Sequence, residues 1–501
     1  MNFKPKDKLT EAEIQRGLTY VIWDGVAAEV MTSFTGGAFL VSMALLMGAN
    51  NVQIGIMASL PMFTNLSQLI SIWLVRKYNN RRAIAVLCAY LARFPLIVIG
   101  VLVLLFHVQS VNVLIFFLCF YYFFGSIAGP SWNSWMKDMV PENRLGGYFS
   151  KRSRYTQTLN IILSLSLGLL LDFIKTNYQI YEMNTYAIFF SIAGFIGILG
   201  GYILSKAPEP RSYLSNADIF TLFKLPLKNT NFRRLLVFNS AWIFALNIAT
   251  PFFTAFLLSS MHFPITNIII LTVINQLFSI LTLRMWGVFS DRYSNKSIIF
   301  ITAPLYILCI VGWCFVGIYT SFYANFALLI LIHIFTGIAT AGINLSLTNI
   351  GLKLAPKEDA IVYLSVKNIV IAVFSSMSPL IGGLLADYFT DVSITVSAQV
   401  NSPSFHKLFR IVSLHEWNFL FLIGALLALF SLELLARVRE IGEVEKDVVR
   451  RIMRTRIKSN LKEYFLIGNI ISWHEQFKAI LKLRRKRSLN TSTPNKKWDK
   501  I

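Results

Sequence analysis

The sequence predicts an all-α, polytopic membrane protein of twelve transmembrane helices, built as two six-helix pseudo-repeats. Three observations carry that prediction. Of the 501 residues, 55% are hydrophobic and only 14% charged, against roughly 25% charged in an average soluble domain. The charges are clumped, and between the clumps lie apolar runs such as "AIAVLCAYLARFPLIVIGVLVLLF" and "FLFLIGALLALFSLELL". Runs of about 20 residues cross roughly 30 Å of hydrocarbon as helix. Finally, one charged loop is written twice. "VPENRLGGYFSKRSRY" starts at Val140 and a fainter copy, "APKEDAIVYLSVKNIV", starts at Ala355. Pro141 falls on Pro356, Tyr148 on Tyr363, Ser150 on Ser365 and Arg152 on Lys367, each 215 positions on.

Residues 1–17 are polar and form a short N-terminal segment. Span 1 (18–46) is long and carries Asp24 and Glu29, so it reads as a retained span, not a cleaved signal. Span 2 (52–75), span 3 (83–106), span 4 (110–136), span 5 (155–174) and span 6 (183–205) complete an N-terminal bundle over 18–205. A polar linker, 206–231, leads to a second bundle over 232–438. It holds span 7 (232–260), span 8 (264–288), span 9 (298–319), span 10 (323–351), span 11 (364–387) and span 12 (416–437). Residues 439–501 form a basic tail.

The loops "RKYNNRR", "KDMVPENRLGGYFSKRSR", "SDRYSNKS" and "KLAPKED" and the linker are rich in basic residues, while the other connections hold chiefly Lys175, Lys407 and Arg410. The positive-inside bias therefore puts both termini in the cytoplasm, with the plasma membrane as the expected location. It also accounts for the net charge of +22 without nucleic acid, which is not expected as a partner. Cys88, Cys119, Cys309 and Cys314 fall inside apolar runs without ligand spacing, so neither a disulfide nor a metal is expected.

The 215-residue register extends further. "RKYNNRR" lies over "DRYSNKS", and "LSLGLLLD" ending at Asp172 over "LIGGLLAD" ending at Asp387. Duplication of a six-span unit explains this, because an even number of spans returns each copy to the membrane in the same orientation. Parallel repeats related by an axis along the membrane normal occur in transporters whose site lies near the midplane between the halves.

On these motifs the sequence resembles the major facilitator superfamily over roughly residues 17 to 438. The family's loop between spans 2 and 3 reads G-x-x-x-D-R-x-G-R-R, and "GVFSDRYSNKS" keeps Gly287, Asp291, Arg292 and Lys296. The first-half copy has Ile72 and Arg76 at the glycine and aspartate positions, while Arg81 and Arg82 survive. The stretch following "WNSWMKDM" resembles the D-x-V-P-x-x-x-R-G-x-Y-F loop of a largely bacterial branch, with Asp138, Pro141, Arg144 and Tyr148. The resemblance implies alternating access by a monomer, with these loops and Arg152 as the inner gate. It sets Asp291 beside the start of span 5, where Lys151, Arg152 and Arg154 wait.

Ionisable groups inside spans are expensive and mark function. Asp24 and Glu29 are five residues apart, about 140° around a helix, and so do not share one face. Glu29 continues into Ser33, Gly36 and Gly37 at helical spacing, a small, polar stripe suited to a cavity. It is the leading candidate for protonation coupled to transport, or for pairing with a cationic group. Asp24 reads as a helix–helix contact or gate. Arg93, in the middle of span 3, requires a partner; a span 1 acid is the plain reading and an anionic ligand group the sharper one. Asn65 and Gln68 in span 2, Asn247 in span 7, Asn275 and Gln276 in span 8, and Asn344 in span 10 are either interhelical glue or cavity hydrogen-bonders. Trp132 and Trp135, near the inner end of span 4, could stack a ligand, but at an interface they read first as aromatic-belt residues. Asp172 and Asp387 read as solvated helix ends.

The tail from Arg450 onward sets Ile452, Ile457, Leu461, Phe465 and Trp473 among arginines and lysines, an amphipathic pattern for the anionic inner leaflet. No phosphate-binding Walker sequence or catalytic constellation is evident, so neither cofactor nor enzyme activity is expected. The reading is a secondary transporter of a small organic solute, with proton coupling the natural hypothesis. The alternative is a non-transporting sensor or assembly protein on the same scaffold.

Overall fold

The computed structural model describes residues 5–7, 9–141, 145–211, 224–292, 294–318, 321–356, 360–402 and 405–440. The tail lies outside the described residues, and so does Arg144; Asp291 and Arg292 end a described helix, but their side chains lie outside the description. Among the described residues, twelve segments are long and apolar enough to cross a membrane. Span 3 runs Arg81–Phe106, span 4 Val111–Met139, span 5 Leu145–Asn177 and span 6 Glu182–Leu204. In the second bundle span 7 runs Thr230–Ser259, span 8 Ile265–Arg292, span 9 Asn295–Trp313, span 10 Phe322–Leu354, span 11 Ala360–Tyr388 and span 12 Trp417–Ala436. Several helices extend past their apolar runs at the polar, inner ends; span 5 starts at Leu145, where water and charged side chains can serve backbone that hydrocarbon could not.

Two spans are interrupted. Span 1 is a helix over Glu11–Thr35 and a second over Gly37–Leu46, so the stripe through Glu29, Ser33, Gly36 and Gly37 does not continue as one helix. The cause is local. Gly37 sits at φ +55°, a left-handed conformation that glycine adopts at no steric cost. Span 2 is helical over Asn51–Thr64 and Gln68–Tyr78, with one tighter turn at Asn65–Ser67 between them.

The chain is not wholly helical. Between spans 11 and 12, β1 (Ser393–Ser402) and β2 (Phe405–His415) form an antiparallel hairpin. The spans themselves are helical as expected, and the hairpin is a connection between two of them. Ile394, Thr395 and Val396 favour a pleated chain, and the segment is too polar to join a span.

Within each half the packing repeats. Span 1 packs on span 6, span 3 on spans 4 and 6, span 7 on span 12, and span 10 on spans 8 and 9. A second correspondence lies at the inner face. Glu209, just beyond span 6, accepts the backbone N–H of Arg81 (2.8 Å) and of Arg82 (3.1 Å). Glu440, just beyond span 12, accepts those of Asn295 (3.2 Å) and Lys296 (2.8 Å). Each carboxylate caps the N-terminus of its half's third span, where unpaired amides and the helix dipole favour an anion.

Burial alone would raise the pKa of Glu440. The hydrogen bonds from Lys296, Asn295, Lys353 and Ser294 outweigh it and hold the carboxyl below its ordinary value of 4.5. A lowered folded value means that the stabilisation is complete above the unfolded value and is lost as pH falls through the folded one. Glu440→Gln is therefore expected to lower stability by about 1–3 kcal/mol at pH 7. The gap from wild type should close below pH 4.5. Thermal melts of both proteins in detergent from pH 7 to pH 3 check this.

Candidate functional site

The site builds from span 3 outward. Arg93 is 7% exposed and Asp24 5%, so each charge needs compensation from the other. Arg93 Nη2 donates to Asp24 Oδ1 at 3.0 Å, and Nη1 donates to the Gly197 carbonyl at 2.6 Å. Gly197, Gly200 and Gly201 on span 6 make room for the Arg93 side chain, whose stem and Nη1 lie 3.1–3.5 Å from where their side chains would begin. The plain reading of Arg93, a pair with a span 1 acid, matches the geometry. Glu29 lies five residues on and is held separately. Asn160 Nδ2, on span 5, donates to Glu29 Oε1 (2.8 Å) and to Ser33 Oγ (3.1 Å).

Beside the Asp24–Arg93 pair opens a cavity of about 480 Å³, lined from the N-terminal half. Asn65 and Gln68 of span 2 line it and hydrogen-bond to each other at 3.2 Å. Trp132, Tyr121 and Tyr122 supply aromatic wall from span 4. Arg152, from span 5, completes it, with its guanidinium 5.1 Å above the Trp132 ring. Gly25 leaves the space Arg152 occupies; a methyl group there would meet its Nε at 2.6 Å.

Trp132 is thus a cavity residue and Trp135 is fully buried, its indole N–H donating to the Pro208 carbonyl at 2.9 Å. Neither sits in the interface belt. The sequence signal that could have placed Trp132 inside was its position on a glycine-rich face of span 4 with Gly125 and Gly129.

The second half is different. Asn239 stands at the repeat position of Asp24 and Leu308 at that of Arg93, so the charge pair has no counterpart there. Asn247, Asn275 and Gln276 are half-buried and Asn344 is exposed; none lines this cavity.

The inner-loop residues mostly tie elements of one half together. Arg81 is fully buried, paired with Glu209 at 3.2 Å and with Asp138, and donates to the Ser134 carbonyl at 2.9 Å. Arg82 donates to the Ala207 carbonyl at 3.0 Å, and the Tyr148 hydroxyl to the Leu18 carbonyl at 2.9 Å. Lys296 donates to the Val438 carbonyl at 2.8 Å. Pro141 is half-buried at the end of span 4.

Contact between the halves is well described at the outer ends. Asp172 accepts the backbone N–H groups of Ile265 and Thr266, both at 2.9 Å, and so caps span 8 from span 5. It is a latch, not a solvated helix end. On the other flank Asn51 Nδ2 donates to Glu416 Oε1 and the Trp417 indole to Asn51 Oδ1, each at 3.1 Å. Spans 2 and 11 meet backbone to backbone, Gly55 against the Pro379 carbonyl and Gly383 against Asn51. These contacts join the two halves at the span ends away from the two termini.

The sequence model of the Major Facilitator Superfamily matches residues 25–351. The chain belongs to this superfamily. As a member it is a multi-pass membrane transporter, and its fold recurs in solved relatives. A mutant of the nucleoside transporter NupG superposes with a TM-score of 0.63 at 13% identity, covering 85% of this chain and all of that one. A bacterial homologue of the human lysosomal transporter Spinster gives 0.57 at 16%, covering 76% and 84%. The xylose transporter XylE of E. coli, inward open, gives 0.55 at 13%, covering 88% and 99%. At these identities the likeness is one of fold. No curated protein matches the sequence.

Proposed function

We propose that this superfamily member is a secondary active transporter of a small organic solute, driven by protons and working by rocking of spans 1–6 against spans 7–12. The observation that carries the reading is the cavity beside the buried Asp24–Arg93 pair, beneath an outer end closed by Asp172 and by the contact of spans 2 and 11. A cavity of about 480 Å³ falls in the range that holds small organic ligands. A midplane site that must open on alternate sides needs an interface that can part. Small residues and helix-end hydrogen bonds give such an interface in place of interdigitated large side chains. The neighbours include a transporter named for nucleosides and one named for xylose, so the fold leaves the solute open.

Proton coupling is placed on Glu29. It is half-buried, hydrogen-bonded to one amide and within the field of Arg152, so gain of a proton changes the charge balance around the cavity. We further place the protein in the plasma membrane as a monomer, with both termini cytoplasmic and the basic tail on anionic lipid.

The test is a reconstituted one. Proteoliposomes under an imposed pH gradient are expected to move protons when the transported solute is added, and Glu29→Gln is expected to abolish that proton movement. Solute flux equal in both proteins with no proton movement rejects coupling and leaves a uniporter. Ligand binding with no flux of any solute rejects transport in favour of a sensor.

A further inference from the structure

We infer that the solute is a planar organic monoanion, with its carboxylate received by Arg152 and its apolar body lying against Trp132 and the tyrosines of span 4. The inference rests on the transporter reading and assigns the substrate class of the same cavity.

The argument is an accounting of charges and hydrogen bonds. Three ionised groups line the cavity: Asp24, Arg93 and Arg152. The first two neutralise each other at 3.0 Å, and the second nitrogen of Arg93 is occupied by the Gly197 carbonyl. Arg152 differs. Among the described residues it makes no ion pair and no hydrogen bond, its Nε is buried without a partner, and it lies against Gly25 and over the ring of Trp132. Arg152 is half-buried, and a guanidinium whose Nε is buried without an acceptor is costly unless something supplies one. Its planar fork matches a carboxylate.

The other groups within its field are Asp24, Glu29 and Tyr148. Asp24 is taken by Arg93 and Glu29 by Asn160, and neither lies within hydrogen-bond reach of Arg152. With Glu29 protonated, the group carries one positive charge in excess, which one monoanion cancels. Anion and proton would then travel together. A phosphate dianion needs a second uncommitted cation, and the lining has none to give. A cationic solute would meet Arg152 directly.

The aromatic wall sets the rest of the shape. Trp132 already has the guanidinium over its face, and Tyr121 and Tyr122 stand together at a centroid distance of 4.8 Å. A flat ring bearing a carboxylate can bury apolar area on these faces while its charged end reaches Arg152.

The experiment uses the full-length protein in detergent and isothermal titration calorimetry. The probes are benzoate and 2-naphthoate, each with its matched amide, amine and phosphate monoester. The carboxylates are expected to bind at least about tenfold more tightly than the amides, the value of one charge-assisted hydrogen bond. Arg152→Gln is expected to lose that preference. Gly25→Ala is expected to weaken carboxylate binding by displacing Arg152 while leaving every charge in place.

The carboxylate-to-amide comparison on the wild type stands whether or not the variants fold. Preference for the amines or the phosphates, carboxylate binding unchanged by Arg152→Gln, or no carboxylate binding at all would each overturn the inference. Proteoliposome uptake of the same probes separates the two readings. Carboxylate binding without uptake overturns the transporter and keeps the anion site. Uptake of a neutral or cationic solute in their place keeps the transporter and overturns the anion site.

Discussion

Arg93→Met is expected to destabilise the protein by about 3–5 kcal/mol, the cost of leaving a buried carboxylate without its cation. Asp24 has little recourse in that variant. It is 5% exposed, and the nearby Arg152 does not hydrogen-bond to it. Asp24→Asn alone is expected to be nearly as damaging for the mirrored reason, since the guanidinium keeps only the Gly197 carbonyl. The decisive sample is the double variant. With both charges removed, most of the loss should be recovered, because each single variant suffers chiefly from the partner left behind. Thermal unfolding of the four proteins in one detergent closes the cycle. A double variant as unstable as the sum of the two singles would show that the residues act independently, contrary to the 3.0 Å contact.

Gly55→Leu is expected to abolish solute uptake while leaving a folded protein. Gly55 lies against the Pro379 carbonyl, with the Gly383 Cα 3.5 Å from where its side chain would begin. Leucine there forces spans 2 and 11 apart at the outer end. Overpacking of this kind costs about 1–3 kcal/mol. The cost falls only on the outer-closed arrangement, so the balance of states shifts about five- to hundredfold toward outward-open. The bundles themselves are untouched, and the melting temperature should move little. A cysteine at Val52, in a background with the four native cysteines replaced by serine, reports the change. It should react faster with a membrane-impermeant maleimide in the Gly55→Leu background. Unchanged labelling with full uptake would mean that the outer contact of spans 2 and 11 does not close the path.

Most of the architecture was legible because hydrocarbon imposes one rule on every span, and twelve apolar runs obey it. The ends were less legible, since helices persist into polar loops where hydropathy no longer marks them. Arg93 and Asp24 were foreseeable as partners on cost alone. Asp172 was misread for an instructive reason: its partners are backbone amides of Ile265 and Thr266, and amides carry no sequence signature. Glu209 and Glu440 were hidden differently. They sit at corresponding places in the two halves but off the 215-residue register, because the connection between spans 11 and 12, which holds the β1–β2 hairpin, is longer than that between spans 5 and 6. Arg152 was assigned to the inner gate by resemblance, and its turn into the cavity depends on Gly25, a space that only three dimensions reveal.

The break at Gly36 and Gly37 turns span 1 into a lever on a pivot. The arm is the 25-residue piece, Glu11–Thr35, about 37 Å long at 1.5 Å per residue. The pivot is two residues without side chains, so the joint itself resists bending only through its torsions, and what opposes a tilt is the packing of the arm on spans 5 and 6. A tilt of about 10° would carry the cytoplasmic tip roughly 6 Å sideways while the outer stub, Gly37–Leu46, stays with its neighbours. Asp24 lies twelve residues down the arm from Gly36, so the same tilt moves it about 3 Å. That distance is the length of the bond to Arg93, and one modest swing of the arm is enough to uncouple the pair.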